Sequence, residues 1–155
     1  MTDTTAEIIS FLRSIGIDVT VTTVEGETVL PGIQIANGGL VIDAAKLLYP
    51  GDLLHEAGHL AVVPTTIRRA MNGALDPKED FELAGEQMAI PWSYAAAIHI
   101  GLDPAIVFHA DGYKGESEWL LSTFANNNFI GLPALEWIGL TTAKEFPKMI
   151  KWLRE

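Results

Sequence analysis

Hydrophobic and polar positions change their spacing near residue 17, where a helical pattern gives way to a strand-like one. Apolar residues recur at helical spacing from Ile8 to Ile15, which predicts a short first helix. Thr4 or Thr5 is the expected cap of this helix, and Gly16 is its expected end. From residue 17 to 24 the alternate positions are mostly β-branched, a pattern typical of a strand.

A second strand-like region lies around Asn37-Gly38-Gly39. Apolar segments at 33–35 and 40–42 flank this tripeptide, and Asn and Gly tolerate the positive φ angles of a tight hairpin turn. The first 43 residues therefore predict a helix followed by a small antiparallel sheet.

The rest of the chain is predicted to be mainly helical. One helix is expected over about residues 53–63, ended by Pro64, and a polar loop with a solvated Arg68–Arg69 pair follows it. Asp76-Pro77 is a typical helix start, and that helix is predicted to run to Ile100 with a kink at Pro91. Further helices are expected at 116–125 and at the C-terminus, where four apolar side chains share a helical face: Phe146, Met149, Ile150 and Leu153.

Composition limits the classes of protein to which the chain can belong. Its 155 residues fit a single domain over 1–155, and 48% hydrophobic residues suffice for a core. A net charge of −10 disfavours binding to nucleic acid, and the absence of cysteine excludes thiol catalysis and cysteine metal sites. The N-terminus lacks the pattern of a signal peptide and no apolar run is long enough to span a membrane, so a cytoplasmic protein is expected.

The residues with the clearest chemical signal are His55-Glu56-Ala57-Gly58-His59, an HExxH motif within a predicted helix. Residues four apart lie about 40° apart around a helix and about 6 Å apart along it, so both imidazoles can reach one zinc ion. Glu56 would then lie near the open side of the metal, where it can act as general base on a water molecule. Gly58 within a helix is unfavourable unless another backbone or a ligand approaches closely there.

A catalytic zinc ion usually has a third protein ligand, which must come from outside this motif. The next predicted helix offers Glu82 and Glu86, four residues apart on one face. Glu82 and the neighbouring acids at 79 and 80 fit a solvated helix start. Glu86 lies deeper in the helix, and we favour it as the ligand.

The predicted order of elements is a hairpin, the HExxH helix, a loop, and a helix that carries Glu86 and Ala89. This order resembles the zinc-peptidase-like domain of the ImmA/IrrE group in the gluzincin branch of zincins. The resemblance covers about residues 40–97. It implies a zincin-like α+β fold in which a small N-terminal antiparallel sheet packs on the active-site helix and the C-terminal half is mainly helical. It further implies one zinc ion per chain held by His55, His59 and Glu86, with Glu56 as the general base.

The function predicted from the sequence is zinc-dependent hydrolysis of a peptide or protein substrate. Zincin sites often include a His, Tyr or Arg that stabilises the oxyanion, and His109 and Tyr113 are the candidates for that role. His99 is expected to pack or to hydrogen-bond away from the metal. The alternative function is a regulatory or interaction domain that keeps the metal site without turnover, and closure of the site by His99 or His109 would favour it.

Overall fold

The computed structural model describes residues 1–155 and combines a three-stranded sheet with seven helices. The strands are β1 (Val19–Val21), β2 (Ile33–Ala36) and β3 (Gly39–Ile42). The helices are α1 (Asp3–Ser14), α2 (Asp52–Ala61), α3 (Thr65–Ala70), α4 (Pro77–Glu82), α5 (Gly85–Ile100), α6 (Ser117–Ala125) and α7 (Leu132–Trp137). Single 3₁₀ turns occupy Pro104–Ile106 and Tyr113–Gly115. None of the helices combines the length and the apolar character that crossing a membrane would require.

The first helix forms as expected, but it begins earlier than predicted. Thr2, rather than Thr4 or Thr5, is the N-cap, and its hydroxyl accepts a hydrogen bond from the Thr5 backbone N–H at 3.2 Å. Thr5 is buried inside the helix. The buried face of α1 includes Ile8 and Leu12, which belong to one hydrophobic core shared with the sheet and the central helices.

The sheet has the predicted hairpin, but it is not purely antiparallel. Asn37 and Gly38 both have positive φ angles, 49° and 76°, and join β2 to β3 in an antiparallel pair. β1 runs parallel to β3, and the strand order is β1-β3-β2. Side-chain alternation identifies a strand without giving its direction. The chain between β1 and β2 allows β1 to lie on the far side of β3, so the prediction of an antiparallel sheet was wrong for this strand.

Helices α2 and α5 pack closely at Gly58, where the sequence predicted the close approach of another backbone or a ligand. A Cβ atom at Gly58 would lie 3.1 Å from the Ala89 carbonyl oxygen and 3.2 Å from the Ala89 Cβ atom. Real Cβ atoms rarely approach other atoms so closely, so Gly58 lets the two helices meet. Ala89 is one helical turn after Glu86, and this contact therefore brings Glu86 towards the HExxH helix.

The single long helix predicted from Asp76 to Ile100 is two helices. Asp76 caps α4 as predicted, accepting the Glu79 backbone N–H at 2.9 Å. The chain then breaks at Ala84, whose φ of 54° is left-handed, and α5 starts at residue 85. The break rotates α5 relative to α4, so Glu82 and Glu86 do not share one continuous helical face.

Arg68 is not a solvated loop residue, as the sequence suggested. It lies in α3, is buried, and donates hydrogen bonds to the carbonyl oxygens of Leu60 and Val63, both at 3.3 Å, and of Arg154 at 2.7 Å. The guanidinium thus satisfies the Leu60 carbonyl group in the last turn of α2, which has no partner within that helix, and the Val63 carbonyl group just beyond it. Burial lowers the pKa of Arg68 from its ordinary value.

The predicted C-terminal helix is also wrong, because residues 141–155 form turns and irregular chain. Phe146 is buried, whereas Ile150 is 65% exposed, so the two side chains do not share a buried face. The backbone N–H of Arg154 instead donates to the Ala61 carbonyl oxygen at 2.9 Å, and Trp152 packs against Trp92. These long-range contacts replace the hydrogen bonds of a helix.

Candidate metal centre

The two histidines of the HExxH motif converge as the helical spacing predicts. His55 and His59 lie one turn apart on α2, and their Nε2 atoms are 3.3 Å from each other. Both side chains are mostly covered, with 16% and 17% of their surface exposed. Together with Glu56 they form a group in which one possible ligand atom of each residue lies within 4.8 Å of the others, and this group could hold a metal ion.

Glu86 from α5 completes a triangle of donor atoms with the two imidazoles. Its Oε2 atom lies 2.7 Å from His59 Nε2 and 3.5 Å from His55 Nε2. Ligands of a tetrahedral zinc ion with bonds of about 2.0–2.1 Å lie about 3.3 Å apart. The separations of 3.3 and 3.5 Å are close to that value, whereas 2.7 Å is a hydrogen-bond distance, so the donor set could hold a metal ion after a small movement of Glu86. Glu82 does not line the cleft that contains these residues.

The other ring nitrogen of each histidine also has a partner. His59 Nδ1 lies 3.3 Å from Asp80 Oδ1, and His55 Nδ1 lies 3.0 Å from the Tyr113 hydroxyl. Such partners orient the two rings, and Nδ1–H donation to them would leave both Nε2 lone pairs available to a metal ion.

The sequence did not single out Asp80, which was interpreted as part of a solvated helix start. Its side chain is 23% exposed and joins two elements, because Oδ2 also accepts the Glu86 backbone N–H at 3.2 Å. Gly85 makes this possible: a Cβ atom there would lie 2.2 Å from Asp80 Oδ1. The sequence signal that could have identified Asp80 is Gly85, the glycine directly before the candidate ligand Glu86. Gly85 indicates room for the Asp80 side chain only once the break at Ala84 is known.

The carboxylates around the histidines have strongly altered pKa values. Burial raises the pKa of Glu86, but hydrogen bonds to His55 and His59 outweigh this effect and hold it well below its usual range. Burial alone would lower the pKa of His59, yet the hydrogen bond to Glu86 and the nearby carboxylates raise it. In Glu56, burial dominates and raises the pKa of the carboxyl group. Glu86 is therefore the carboxylate that stays ionised most readily, and Glu56 is the better proton acceptor.

The donor triangle opens into a cleft of about 960 Å³, at the upper end of the range typical of ligand pockets. His55, Glu56, His59 and Glu86 all line it. Tyr113 also lines the cleft, from a turn in which its φ is 55°. Non-glycine residues adopt this conformation rarely, and it is enriched at binding sites.

Of the two residues predicted to stabilise an oxyanion, only Tyr113 lies at the cleft, and its hydroxyl contacts His55. Burial raises the pKa of Tyr113, so the phenol stays protonated. His109 does not line the cleft: its Nε2 atom lies 2.7 Å from Asp52 Oδ1, and its ring stacks on Tyr49 with centroids 3.9 Å apart. His99 packs against Phe11, away from the site, as expected.

No family model, curated protein or solved structure matches this chain. The HExxH arrangement that could bind a metal ion therefore rests on the residues and their geometry. Membership of a zincin family stays a prediction from the sequence.

Proposed function

We propose that this protein is a zinc-dependent peptidase that uses His55, His59 and Glu86 as metal ligands. The observation that carries the proposal is the convergence of two imidazole nitrogens and one carboxylate oxygen, 2.7–3.5 Å apart, at an open cleft. Zinc favours this combination of nitrogen and oxygen donors, and three protein ligands leave a position for chemistry. Asp80 and Tyr113 would orient the two histidines.

Bound zinc would polarise the carbonyl of the substrate and lower the pKa of a water molecule towards ~7. Glu56 would take a proton from the attacking water and pass it to the nitrogen of the leaving amine as the C–N bond breaks. The raised pKa of Glu56 suits this role, because a base with a pKa nearer neutrality both accepts and returns a proton effectively.

One observation favours a second function, metal binding without turnover. His109 is paired with Asp52, and the Tyr113 hydroxyl lies on His55, so neither predicted oxyanion donor is free in the cleft. A domain of this kind would keep the metal site for regulation or for binding another protein.

The substitution Glu56→Gln separates the two functions. The amide keeps the size of the side chain but cannot accept the proton, so zinc content should stay the same while hydrolysis falls about 10²–10⁴-fold. The measurement is cleavage of a mixed peptide library by zinc-loaded wild type and variant. Absence of zinc-dependent cleavage by the wild type would favour the binding domain, and equal cleavage by the variant would show that Glu56 is not the general base.

A further inference from the structure

Two large apolar side chains on separate segments face solvent at the mouth of the cleft. Phe81 on α4 is 85% exposed, and Val29 in the chain between β1 and β2 is 92% exposed. Both line the cleft that contains the donor triangle. Isolated exposed apolar residues are common on protein surfaces, but two that border one cleft indicate a ligand that covers them.

The apolar surface continues inside the cleft. Leu75, Ile90 and Ile130 line it from three further segments, and each also packs against the hydrophobic core. A ligand that contacts Phe81 and Val29 would thus meet apolar surface from the mouth inwards.

The charged side chains of the cleft are almost all acidic. Asp52, Glu56, Asp80 and Glu86 line it, whereas Lys114 is the only lysine or arginine that does. The four carboxylates still exceed Lys114 and a divalent metal ion by one charge, so the lining favours a neutral or basic ligand.

Two main-chain groups at the outer edge of the neighbouring strand β2 are already hydrogen-bonded within the chain. The Ile33 N–H donates to the Leu30 carbonyl oxygen at 3.2 Å, and the Ile35 carbonyl oxygen accepts the Gly73 N–H at 2.9 Å. A peptide that joins a sheet edge gains affinity from such main-chain groups. Because these two are already used, we expect the side chains of a bound peptide to contribute more to its selection than main-chain pairing with β2.

We propose that the cleft selects peptide segments whose apolar side chains contact Phe81 and Val29, and that it rejects segments with acidic side chains at the same positions. This inference rests on the proposed peptidase function and defines the substrate class of that site. Phe81 and Val29 are then residues that determine specificity, and they have no part in the folded core.

The test uses short fluorescein-labelled peptides of Gly and Ala with capped ends, which carry Phe-Leu, Ser-Ser or Glu-Glu at the centre. Fluorescence anisotropy measures their binding to the zinc-loaded Glu56→Gln protein, which should hold them without cleavage. The Phe-Leu peptide should bind about tenfold or more tightly than the Ser-Ser peptide, and the Glu-Glu peptide should bind most weakly.

Phe81→Ser and Val29→Ser, each added to Glu56→Gln, should weaken binding of the Phe-Leu peptide by about tenfold. Trp137→Ser is the matched control, because Trp137 is 89% exposed and lies outside the cleft. It should leave binding unchanged.

Cleavage of the same peptides by the zinc-loaded wild type separates the two claims. The selectivity would be overturned if the three peptides bound equally, if none bound, or if both serine substitutions left binding unchanged. This holds even if the wild type cleaves the peptides. Selective binding without cleavage would support the selectivity and overturn the peptidase function.

Discussion

Asp80 Oδ1 lies 3.3 Å from His59 Nδ1, and the second oxygen of the same carboxylate accepts the backbone N–H of Glu86. One side chain therefore holds a candidate metal ligand on α2 and the first turn of α5 that carries another. The close contact of Gly58 with Ala89 brings the same two helices together. The donor triangle thus depends on both packing and a hydrogen-bonded carboxylate.

Asp80→Asn should weaken zinc binding by about 10–100-fold, because loss of an outer partner frees a ligating imidazole to rotate and lowers its basicity. Competition with a chromogenic chelator measures the zinc affinity. Glu79→Gln on the same helix is the control and should change it little. Equal affinities of Asp80→Asn and wild type would show that Asp80 does not orient His59.

Glu86→Gln should remove most zinc binding, whereas Glu82→Gln should preserve it. Glu86 Oε2 lies 2.7 Å from His59 Nε2, and an amide oxygen is a much poorer zinc ligand than a carboxylate. Elemental analysis of both purified variants after dialysis against zinc-free buffer provides the measurement. Loss of zinc from Glu82→Gln alone would show that Glu82, and not Glu86, is the third ligand.

The local parts of this fold could be predicted from the sequence, and the parts set by distant contacts could not. The hairpin at Asn37-Gly38 and the cap at Asp76 rest on residues close in the chain, and both are confirmed. The parallel pairing of β1, the break at Ala84 and the irregular C-terminus depend on segments far apart in sequence. The i, i+4 spacing placed His55 and His59 together, but Asp80 approaches His59 only because the chain turns at Ala84.

Arg68→Met should destabilise the protein by about 2–3 kcal/mol, because buried carbonyl groups at the end of α2 would lose their charged donor. Urea denaturation measures the free energy of unfolding. Arg69→Met is the matched control, since Arg69 is exposed, and it should change stability by no more than about 0.5 kcal/mol. Similar effects of the two substitutions would mean that the Arg68 hydrogen bonds add nothing to stability.

Asp43 should make the free energy of unfolding depend on pH in acidic solution. The backbone N–H of Val24 donates to its Oδ2 atom at 3.0 Å, and this bond is the main reason that the pKa of Asp43 lies below its usual value. A lowered pKa in the folded state means that the stabilisation is complete above the unfolded pKa of about 3.9 and is lost as the pH falls through the folded pKa.

We therefore expect Asp43→Asn to be less stable than wild type at pH 7 and to lose less stability on acidification. Urea midpoints at pH 7 and at progressively lower pH give the comparison. Parallel pH profiles for the two proteins would contradict a contribution from Asp43.

A crystal structure of the zinc-loaded protein, with anomalous data at the zinc absorption edge, would show whether His55, His59 and Glu86 bind one zinc ion. We expect one strong peak about 2.0–2.1 Å from both Nε2 atoms and from the Glu86 carboxylate, with the fourth position open to the cleft. A peak held by other residues, or no peak at these three side chains, would mean that they are not the metal ligands.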